Sequence, residues 1–340
     1  MNLHDRIVAL DSLRGIAALM VCLFHFDVFN NGGTGVDLFF IISGFVIFMS
    51  LANSSNIKGF WIARLIRLFP TYWLSILIAV IVSRVFTSYN LIPVSGTRFY
   101  LGNILMLQPL FNTTNLLGSY WTLYVELLFY TSISFIFFTR LHKHIELVIT
   151  VCLLLLTAIN AGNSYFEHSP AYEHFYIVLR HLNPLIINFP AFAAGIIFYI
   201  SYSTGFNFYR AFLLISIVCI TALIHPYSIM IKEYVTAQDH VIYLLLFYLA
   251  FLMIIFKWDR VLKLKPLIFF GEISYAFYLI HESTTLVLNY YMQPVIGGVI
   301  SKTLSISITL LIAYIITRYF DMPLRSYLRN KLLASRNIAA

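Results

Sequence analysis

Charged residues are what this sequence has least of: only 11% of its 340 residues are Asp, Glu, Lys or Arg. A soluble domain has about a quarter of its residues charged, so this scarcity argues against a soluble protein. Instead, 60% of the residues are hydrophobic, and the mean hydropathy is +0.85. Several apolar runs reach roughly the 18 residues that indicate a membrane span. The composition therefore predicts an integral membrane protein.

Cysteine is also rare, and metal-binding motifs are missing. Cys22, Cys152 and Cys219 all fall inside predicted spans, and three thiols expected to be buried in spans are too few for a disulfide framework. No CxxC pair and no His/Cys cluster has metal-ligand spacing, so we expect no metal. The first apolar run lacks a cleavage site, and we expect neither a cleaved signal peptide nor an extra soluble domain.

Hydropathy along the chain predicts an all-α integral membrane protein, a bundle of about ten transmembrane helices. The connecting loops are short, so we expect a single transmembrane domain over residues 1–340. The predicted spans are 7–28, 36–52, 71–88, 120–139, 145–160, 184–202, 209–225, 241–256, 267–291 and 299–318.

Lysines and arginines predict the orientation of the spans. With an even number of spans both termini share one side, and sixteen of the 22 lysines and arginines fall there. Cytoplasmic loops carry the excess of these residues, so both termini are predicted to be cytoplasmic. This distribution explains the net charge of +8 and removes nucleic acid as a partner. The residues on the other side are Arg84, Arg98, Arg180, Lys232 and Lys302.

The first span, LDSLRGIAALMVCLFHF, contains ionisable side chains, which are costly in a membrane and usually face the bundle interior. Arg14 and His25 are eleven residues apart, which puts them on one helical face about 16 Å apart. Alone, Arg14 could extend to the headgroups and His25 could be a packing residue. The small residues Gly15, Ala18 and Cys22 between them indicate either a close helix–helix seam or a narrow channel.

Three other spans bring ionisable groups to the level of His25. Asp37 opens the second span, Glu126 lies about one turn into the fourth, and His281 and Glu282 lie in the ninth. Separately, each has a structural explanation, such as the favourable charge of Asp37 at a helix start. Together they favour a functional polar site toward the outer leaflet.

On the predicted cytoplasmic side, Arg64 and Arg67 are three residues apart and share a helical face ahead of Pro70. The positive-inside rule by itself explains arginines here. Two guanidinium groups on one face also suit a phosphate clamp. The spacing leaves both interpretations open.

Taken together, these segments resemble the acyltransferase 3 family of membrane-bound acyltransferases. The resemblance covers nearly the whole chain and follows five ordered motifs, of which the first pairs Arg14 with His25 and the second contains Ser43 in its Ser-Gly-Phe. The third holds Arg64 and Arg67. The motifs read LDSLRGIAALMVCLFHF, GVDLFFIISGFVIF, FWIARLIRLFPTYWLS, YWTLYVELLFY and ISYAFYLIH.

The resemblance implies that acyl-CoA, most often acetyl-CoA, binds from the cytoplasm. Arg64 and Arg67 would hold its phosphates, with Arg14 at the entrance and Ser43 also on the donor site. The pantetheine arm would lie along the small-residue stripe and present the thioester near His25.

The resemblance also implies that a hydroxyl of a glycan or lipid-linked glycan is acylated on the outer side of the bacterial inner membrane. His25 would act as general base or carry the acyl group itself. Asp37 or Glu126 would be a further catalytic residue that orients the imidazole ring of His25. The implied pocket wall consists of Asp11, Trp121, Tyr275 and His281.

Two alternatives stay open. A transporter or flippase of a polar lipid or glycan intermediate would also place polar residues within the membrane. A purely structural role would make the same residues interhelical contacts. Acceptor selection is expected from the outer loops 89–119 and 161–183, and a homo-oligomer is possible.

Overall fold

The structure is a computed structural model, and it describes residues 7–54, 56–92, 96–166, 181–225 and 233–334. In these ranges every regular element is helical, which confirms the all-α prediction. The α-helices are α1 Val8–His25, α2 Gly35–Ala52, α3 Ile57–Val85, α4 Thr97–Ile104, α5 Trp121–Phe138, α6 Ile145–Phe166, α7 Asn183–Thr204, α8 Phe208–Ile224, α9 Ala237–Ile255, α10 Lys265–His281, α11 Val287–Ile296, α12 Gly298–Ile315 and α13 Met322–Ala334.

Eight helical stretches in the described ranges are long and apolar enough to cross a membrane, so the chain is a multi-pass membrane protein. The predicted span 209–225 coincides with α8, which is apolar but only 17 residues long. The predicted span 267–291 is not one α-helix: α10 ends at His281, and a π turn, Glu282–Leu286, separates it from α11. The sidedness of the termini stays a prediction.

The helix that contains the predicted third span, 71–88, begins well before residue 71. Proline in a helix interior removes one backbone hydrogen bond and usually kinks or breaks the helix. In the structure α3 runs from Ile57 to Val85 with Pro70 inside it. Arg64 and Arg67 therefore belong to the same continuous helix as the apolar segment that follows.

The chain forms two compact units. The first consists of residues 1–32, 54–124 and 264–340, and it contains α1, α3, α4 and α10 to α13. The second consists of residues 33–53 and 125–263, and it contains α2 and α6 to α9. Most of the outer loop 161–183, including Glu167, His168 and Arg180, lies outside the described residues.

In the first unit α1 packs closely on α10 through two glycines. A Cβ added to Gly15 would come within 2.6 Å of Gly271 N, and one added to Gly271 would meet the carbonyl oxygen of Asp11. Ala18 and Cys22, further along the same face, are buried. At Gly15 the small-residue stripe is thus a helix–helix seam, and its backbone contact leaves no room there for a cofactor arm.

We expect Gly15→Ala to lower the free energy of unfolding by about 1–3 kcal/mol, the usual cost of overpacking. The new methyl group would have to push α10 away, since the atoms that it meets are mainly backbone. Thermal unfolding in detergent measures the change. Gly298→Ala is the matched control, because its Cβ would meet only Gln293 Nε2 at 3.8 Å. Equal stability of the two variants would contradict the close seam.

In the second unit, aromatic rings fill the space beside α7. The Phe192 ring stacks on Phe129 with centroids 4.0 Å apart and on Phe40 with centroids 4.7 Å apart. Phe192 is fully buried, and stacked rings of this kind add to the stabilisation that burial supplies. These contacts fix α2, with its polar residues, within the unit.

Candidate active site

His25 is the last residue of α1, and it lies beside the carboxylate of Glu282. His25 Nε2 is 3.4 Å from Glu282 Oε1, and 27% of the His25 side chain is exposed. An N–H···O hydrogen bond spans about 2.7–3.2 Å, so this pair is in electrostatic contact at slightly longer range. A carboxylate placed here would stabilise the imidazolium that forms when His25 takes up a proton.

Glu282 is held in place by Ser119. Its Oε2 accepts hydrogen bonds from Ser119 N (2.9 Å) and Ser119 Oγ (3.0 Å), which leaves Oε1 directed at His25. Gly118 provides the space, because a Cβ there would lie 2.7 Å from Oε1. Glu282 also opens the π turn after α10, and such turns are frequent at functional sites.

His281 faces the same space. Its ring centroid is 5.1 Å from that of His25, and its Nδ1 donates to Tyr278 O at 2.6 Å. His281 Nε2 is buried and has no hydrogen-bond partner among the described residues. Donor atoms of His25, His281 and Glu282 all lie within 4.8 Å of one another. We call these three residues the His–His–Glu cluster.

The hydroxyl groups of Tyr278 and Thr122 fix the position of Ser119, the residue that binds Glu282. Tyr278 OH lies 3.1 Å from Ser119 O and 2.9 Å from Thr122 Oγ1, and Thr122 Oγ1 lies 3.0 Å from Ser119 O. One of the two hydroxyls therefore donates to Ser119 O, and the other donates either to that carbonyl or to the first hydroxyl. Trp121, which begins α5, is partly buried. These bonds fix the backbone of Ser119 and hence the Glu282 carboxylate.

Arginines form a second group in the same unit. Arg64 is buried, and its guanidinium carbon lies 5.6 Å from the centroid of the Phe60 ring. Arg67 is partly buried and close enough to Arg325 for their charges to repel. We call Arg64, Arg67 and Arg325 the arginine cluster. Arg325 is one of the sixteen lysines and arginines on the predicted cytoplasmic side.

The π turn Ile316–Asp321 supports this arginine cluster. Its last residue, Asp321, pairs with Arg325 and accepts a hydrogen bond from Thr71 Oγ1 at 2.5 Å. Tyr275, a predicted pocket residue, donates its hydroxyl to Leu68 O at 2.7 Å. The carboxylate offsets one positive charge, so the cluster keeps a surplus that would attract an anion.

Arg14 and Asp11 lie on α1 and pair with each other. Arg14 Nη1 is 3.0 Å from Asp11 Oδ1, and both side chains are mostly buried. Arg14 and His25 occupy one uninterrupted helix, so the predicted separation of about 16 Å along its axis holds.

In the second unit Asp37 pairs with His240. Asp37 Oδ2 is 3.0 Å from His240 Nε2, and His240 Nδ1 is 3.0 Å from His225 Nδ1. His225 Nε2 is 3.0 Å from Val235 O, so it must donate to that carbonyl. Asp37, His240 and His225 are all buried. They form a continuous hydrogen-bonded chain.

Glu126 also has partners within the second unit. Its Oε1 accepts hydrogen bonds from Tyr130 OH at 2.5 Å and from Ser43 Oγ at 3.3 Å. Ser43 belongs to the Ser-Gly-Phe segment of α2, and Glu126 lies in α5. Two of the motifs noted in the sequence therefore meet at this carboxylate.

Comparison with known proteins decides the family. A family model described as an acyltransferase domain matches residues 7–318. The chain belongs to the acyltransferase 3 family. The resemblance found in the sequence is thereby confirmed, and the chain is a member of a family of O-acetyltransferases.

Three curated proteins illustrate the similarity of this acyltransferase 3 chain. YrhL of Bacillus subtilis, named as a candidate peptidoglycan O-acetyltransferase, is 33% identical over 37% of this chain and 23% of its own length. The peptidoglycan O-acetyltransferase OatA of Listeria monocytogenes is 36% identical over 22% of this chain and 13% of its own. A candidate acetyltransferase of Acidianus two-tailed virus, ORF330, is 27% identical over 79% of this chain and 80% of its own.

The matches to the bacterial relatives are partial. The chain spans less than a quarter of YrhL and a smaller share of OatA. No solved structure matches the chain.

The acyltransferase 3 motifs meet in pairs within each unit. In the first unit the Arg14–His25 motif of α1 meets the ISYAFYLIH motif of α10 at the His–His–Glu cluster. In the second unit the motifs that carry Ser43 and Glu126 meet. Asp37 and Glu126 as orienting groups for His25 stay predictions, and each has the partners given above.

Sequence reasoning missed several participants. It placed Glu282 at the level of His25 without pairing them, and it assigned no role to Ser119, Arg325 or His240. The adjacency of His281 and Glu282 within an apolar span was a usable signal for the first of these. Nothing local marks Ser119 or His240, whose partners lie 163 and 203 residues away along the chain.

Proposed function

We propose that this protein is a membrane-bound O-acyltransferase that transfers an acyl group, most often acetyl, from acyl-CoA to a hydroxyl of a cell-surface glycan. The observation that carries the proposal is His25 beside Glu282, with the other carboxylate oxygen held by Ser119. A histidine oriented by an anchored carboxylate is the arrangement of a general base. The family membership supports the same chemistry.

In the proposed reaction, the Nε2–H of neutral His25 points at Glu282, and Nδ1 carries the lone pair. Nδ1 takes the proton of the acceptor hydroxyl while the oxygen of that hydroxyl attacks the thioester carbonyl. The C–S bond then breaks, and the leaving thiolate receives the proton as free CoA. Glu282 stabilises the imidazolium between these two transfers. Among the two roles left open for His25, this arrangement favours the general base.

The arginine cluster is the proposed site for the CoA phosphates. Arg67 and Arg325 repel each other, and a phosphate between them would relieve that repulsion. Arg14, on α1, lies about 16 Å from His25 along the helix, a distance that a long pantetheine arm can cover by running beside the closed seam at Gly15 and not through it. Arg14 at the donor site and the catalytic His25 would then lie on the same helix, α1.

For location and partners, we propose a bacterial inner membrane protein with both termini cytoplasmic, the donor entering from that side and the acceptor from the other. Two bacterial relatives are named for peptidoglycan O-acetylation, one of them as a candidate, which supports a cell-surface glycan as the acceptor class. Glycan and lipid-linked glycan acceptors share the hydroxyl that His25 would activate.

Acyl-CoA turnover by the purified protein in detergent tests the proposal. Release of free CoA is followed with acetyl-CoA first and longer acyl-CoAs next, with and without peptidoglycan fragments and capsule-type oligosaccharides. We expect slow release without acceptor and faster release with the correct one. A flippase would be indifferent to acyl-CoA, so a folded protein that neither binds nor turns over any acyl-CoA would contradict the proposal.

Arg67→Gln is expected to raise the KM for acyl-CoA about tenfold or more with a smaller change in kcat. A charge-assisted hydrogen bond contributes about 1.5–3 kcal/mol, and the lost contact would be to the phosphates, away from the reacting carbonyl. Arg84→Gln, in the last turn of the same helix, is the matched control and should leave KM unchanged. A similar rise in both variants would indicate a general effect of charge.

A further inference from the structure

We propose that the His–His–Glu cluster is a Zn²⁺ site, and that Zn²⁺ bound there inhibits the acyltransferase. His25, His281 and Glu282 each offer one donor atom, and these atoms lie within 4.8 Å of one another. Two imidazoles and one carboxylate are a ligand set that Zn²⁺ accepts, with a fourth position open. The cluster can be reached, because 27% of the His25 side chain is exposed.

His281 is already prepared as a ligand. Its Nδ1–H donates to Tyr278 O, which fixes the tautomer and leaves the lone pair on Nε2. That Nε2 is fully buried, and no described group donates a hydrogen bond to it. A buried nitrogen lone pair without a partner is costly, and a metal ion in the space shared with His25 and Glu282 would satisfy it.

The spacing of the other two ligands fits the ion. With Zn–N and Zn–O bonds of about 2.0–2.1 Å in a tetrahedron, neighbouring ligand atoms are about 3.3 Å apart. His25 Nε2 and Glu282 Oε1 are 3.4 Å apart, longer than a good hydrogen bond and close to this value. All three donor atoms lie within 4.8 Å of one another, so no pair has to close by more than about 1.5 Å to reach tetrahedral spacing.

Two of the three ligands, Glu282 and His281, are oriented by hydrogen bonds to neighbouring groups that are not themselves ligands. Ser119 donates two hydrogen bonds to Glu282 Oε2 and so presents Oε1 as a monodentate ligand. Tyr278 O accepts a hydrogen bond from His281 Nδ1 and so orients the His281 ring with Nε2 as its ligand atom. Such outer partners fix ligand geometry in known zinc sites. Mg²⁺ and Ca²⁺ prefer oxygen ligands, so two imidazoles select against them.

Inhibition follows from the tautomers of His25, and this step rests on the proposed function. As general base, His25 needs a proton on Nε2 and a lone pair on Nδ1. Zn²⁺ on Nε2 displaces that proton, and a neutral imidazole so bound carries its proton on Nδ1. The metal therefore removes the base without touching the acceptor, and it also occupies the carboxylate that stabilises the imidazolium.

Metal binding is tested first, without reference to activity. The full-length protein in detergent is stripped with a chelator and titrated calorimetrically with Zn²⁺. We expect one site whose affinity falls at least about 100-fold in Glu282→Gln and in His281→Asn, since even the loss of an outer partner costs about 10–100-fold. Ser119→Ala should lower the affinity for Zn²⁺ by about 10–100-fold.

Controls separate a specific site from adventitious binding and from unfolding. His144→Ala removes an exposed histidine of the second unit and should leave the titration unchanged. Glu282→Gln keeps the size and an acceptor oxygen for Ser119, so it is the variant best suited to remain folded. Zn²⁺ should raise the unfolding temperature of wild type and His144→Ala and not that of Glu282→Gln.

The activity arm then uses the same proteins. Zn²⁺ at the concentration that fills the site should reduce acyl-CoA turnover of wild type at least tenfold, and a chelator should restore it. Zinc titrations that are alike in wild type, His281→Asn and Glu282→Gln would overturn the site. Specific binding with undiminished turnover would overturn the inhibition. Specific binding by a protein that turns over no acyl-CoA would support the site while contradicting the proposed function.

Discussion

Replacing His25 with alanine is expected to reduce acyl transfer by about 10²–10⁴-fold while leaving the protein folded. The reason is local: the imidazole would accept the proton of the acceptor hydroxyl, and Glu282 would have no cation to stabilise without it. The measurement is CoA release by wild type and variant at equal protein amount, with the unfolding temperature recorded for both. His144→Ala is the control for loss of a histidine as such.

Two further observations sharpen this prediction. A partly exposed His25 site allows added imidazole to enter the space left by the side chain and to restore part of the rate. In addition, wild type given labelled acetyl-CoA without acceptor should retain no label on His25 if the residue is a base and not an acyl carrier. A folded His25→Ala protein with more than a third of the wild-type rate would exclude both roles.

Replacing His240 with alanine is expected to lower the free energy of unfolding by about 3–5 kcal/mol, the usual cost of removing one partner of a buried ion pair. Asp37→Asn is expected to cost only about 1 kcal/mol. Both changes act on the same hydrogen bond, between Asp37 Oδ2 and His240 Nε2. Thermal and denaturant unfolding in detergent, on both variants and wild type, measure the difference.

A count of protons explains the contrast. The chain Asp37–His240–His225–Val235 has three hydrogen bonds, each holding one proton, so the three side chains together carry no net charge. In Asp37→Asn the amide N–H donates to a neutral His240, and all three bonds survive. In His240→Ala the Asp37 carboxylate is left buried without its partner. Equal destabilisation by the two substitutions would show that this neutral chain is not what stabilises the region.

The candidate site was only partly predictable from sequence. Arg14 and His25 share one helix, as their eleven-residue spacing indicates, because helical periodicity is a local property. The pairing of His25 with Glu282 is not local: it joins residues on α1 and on the π turn after α10. Hydropathy placed both at one level of the membrane, but no periodicity says which of several polar groups at that level will touch.

Helix boundaries, too, were only partly predictable from local sequence. Hydropathy placed the third span at 71–88, and α3 begins at Ile57 and continues through Pro70. Likewise, the predicted span 267–291 contains a π turn that begins at Glu282. Both cases arise because neighbouring helices can stabilise a backbone that local propensity disfavours.

By itself, the sequence determined the membrane environment, the all-helical class and the family, because apolar content, periodicity and short motifs are carried by residues close together in the chain. Only the tertiary structure decided that Glu282 is a partner of His25, that Asp37 binds His240, and that the stripe at Gly15 is a packing seam. These are contacts between helices distant in sequence. They depend on how helices rotate and approach each other, and that is set by packing of the whole unit.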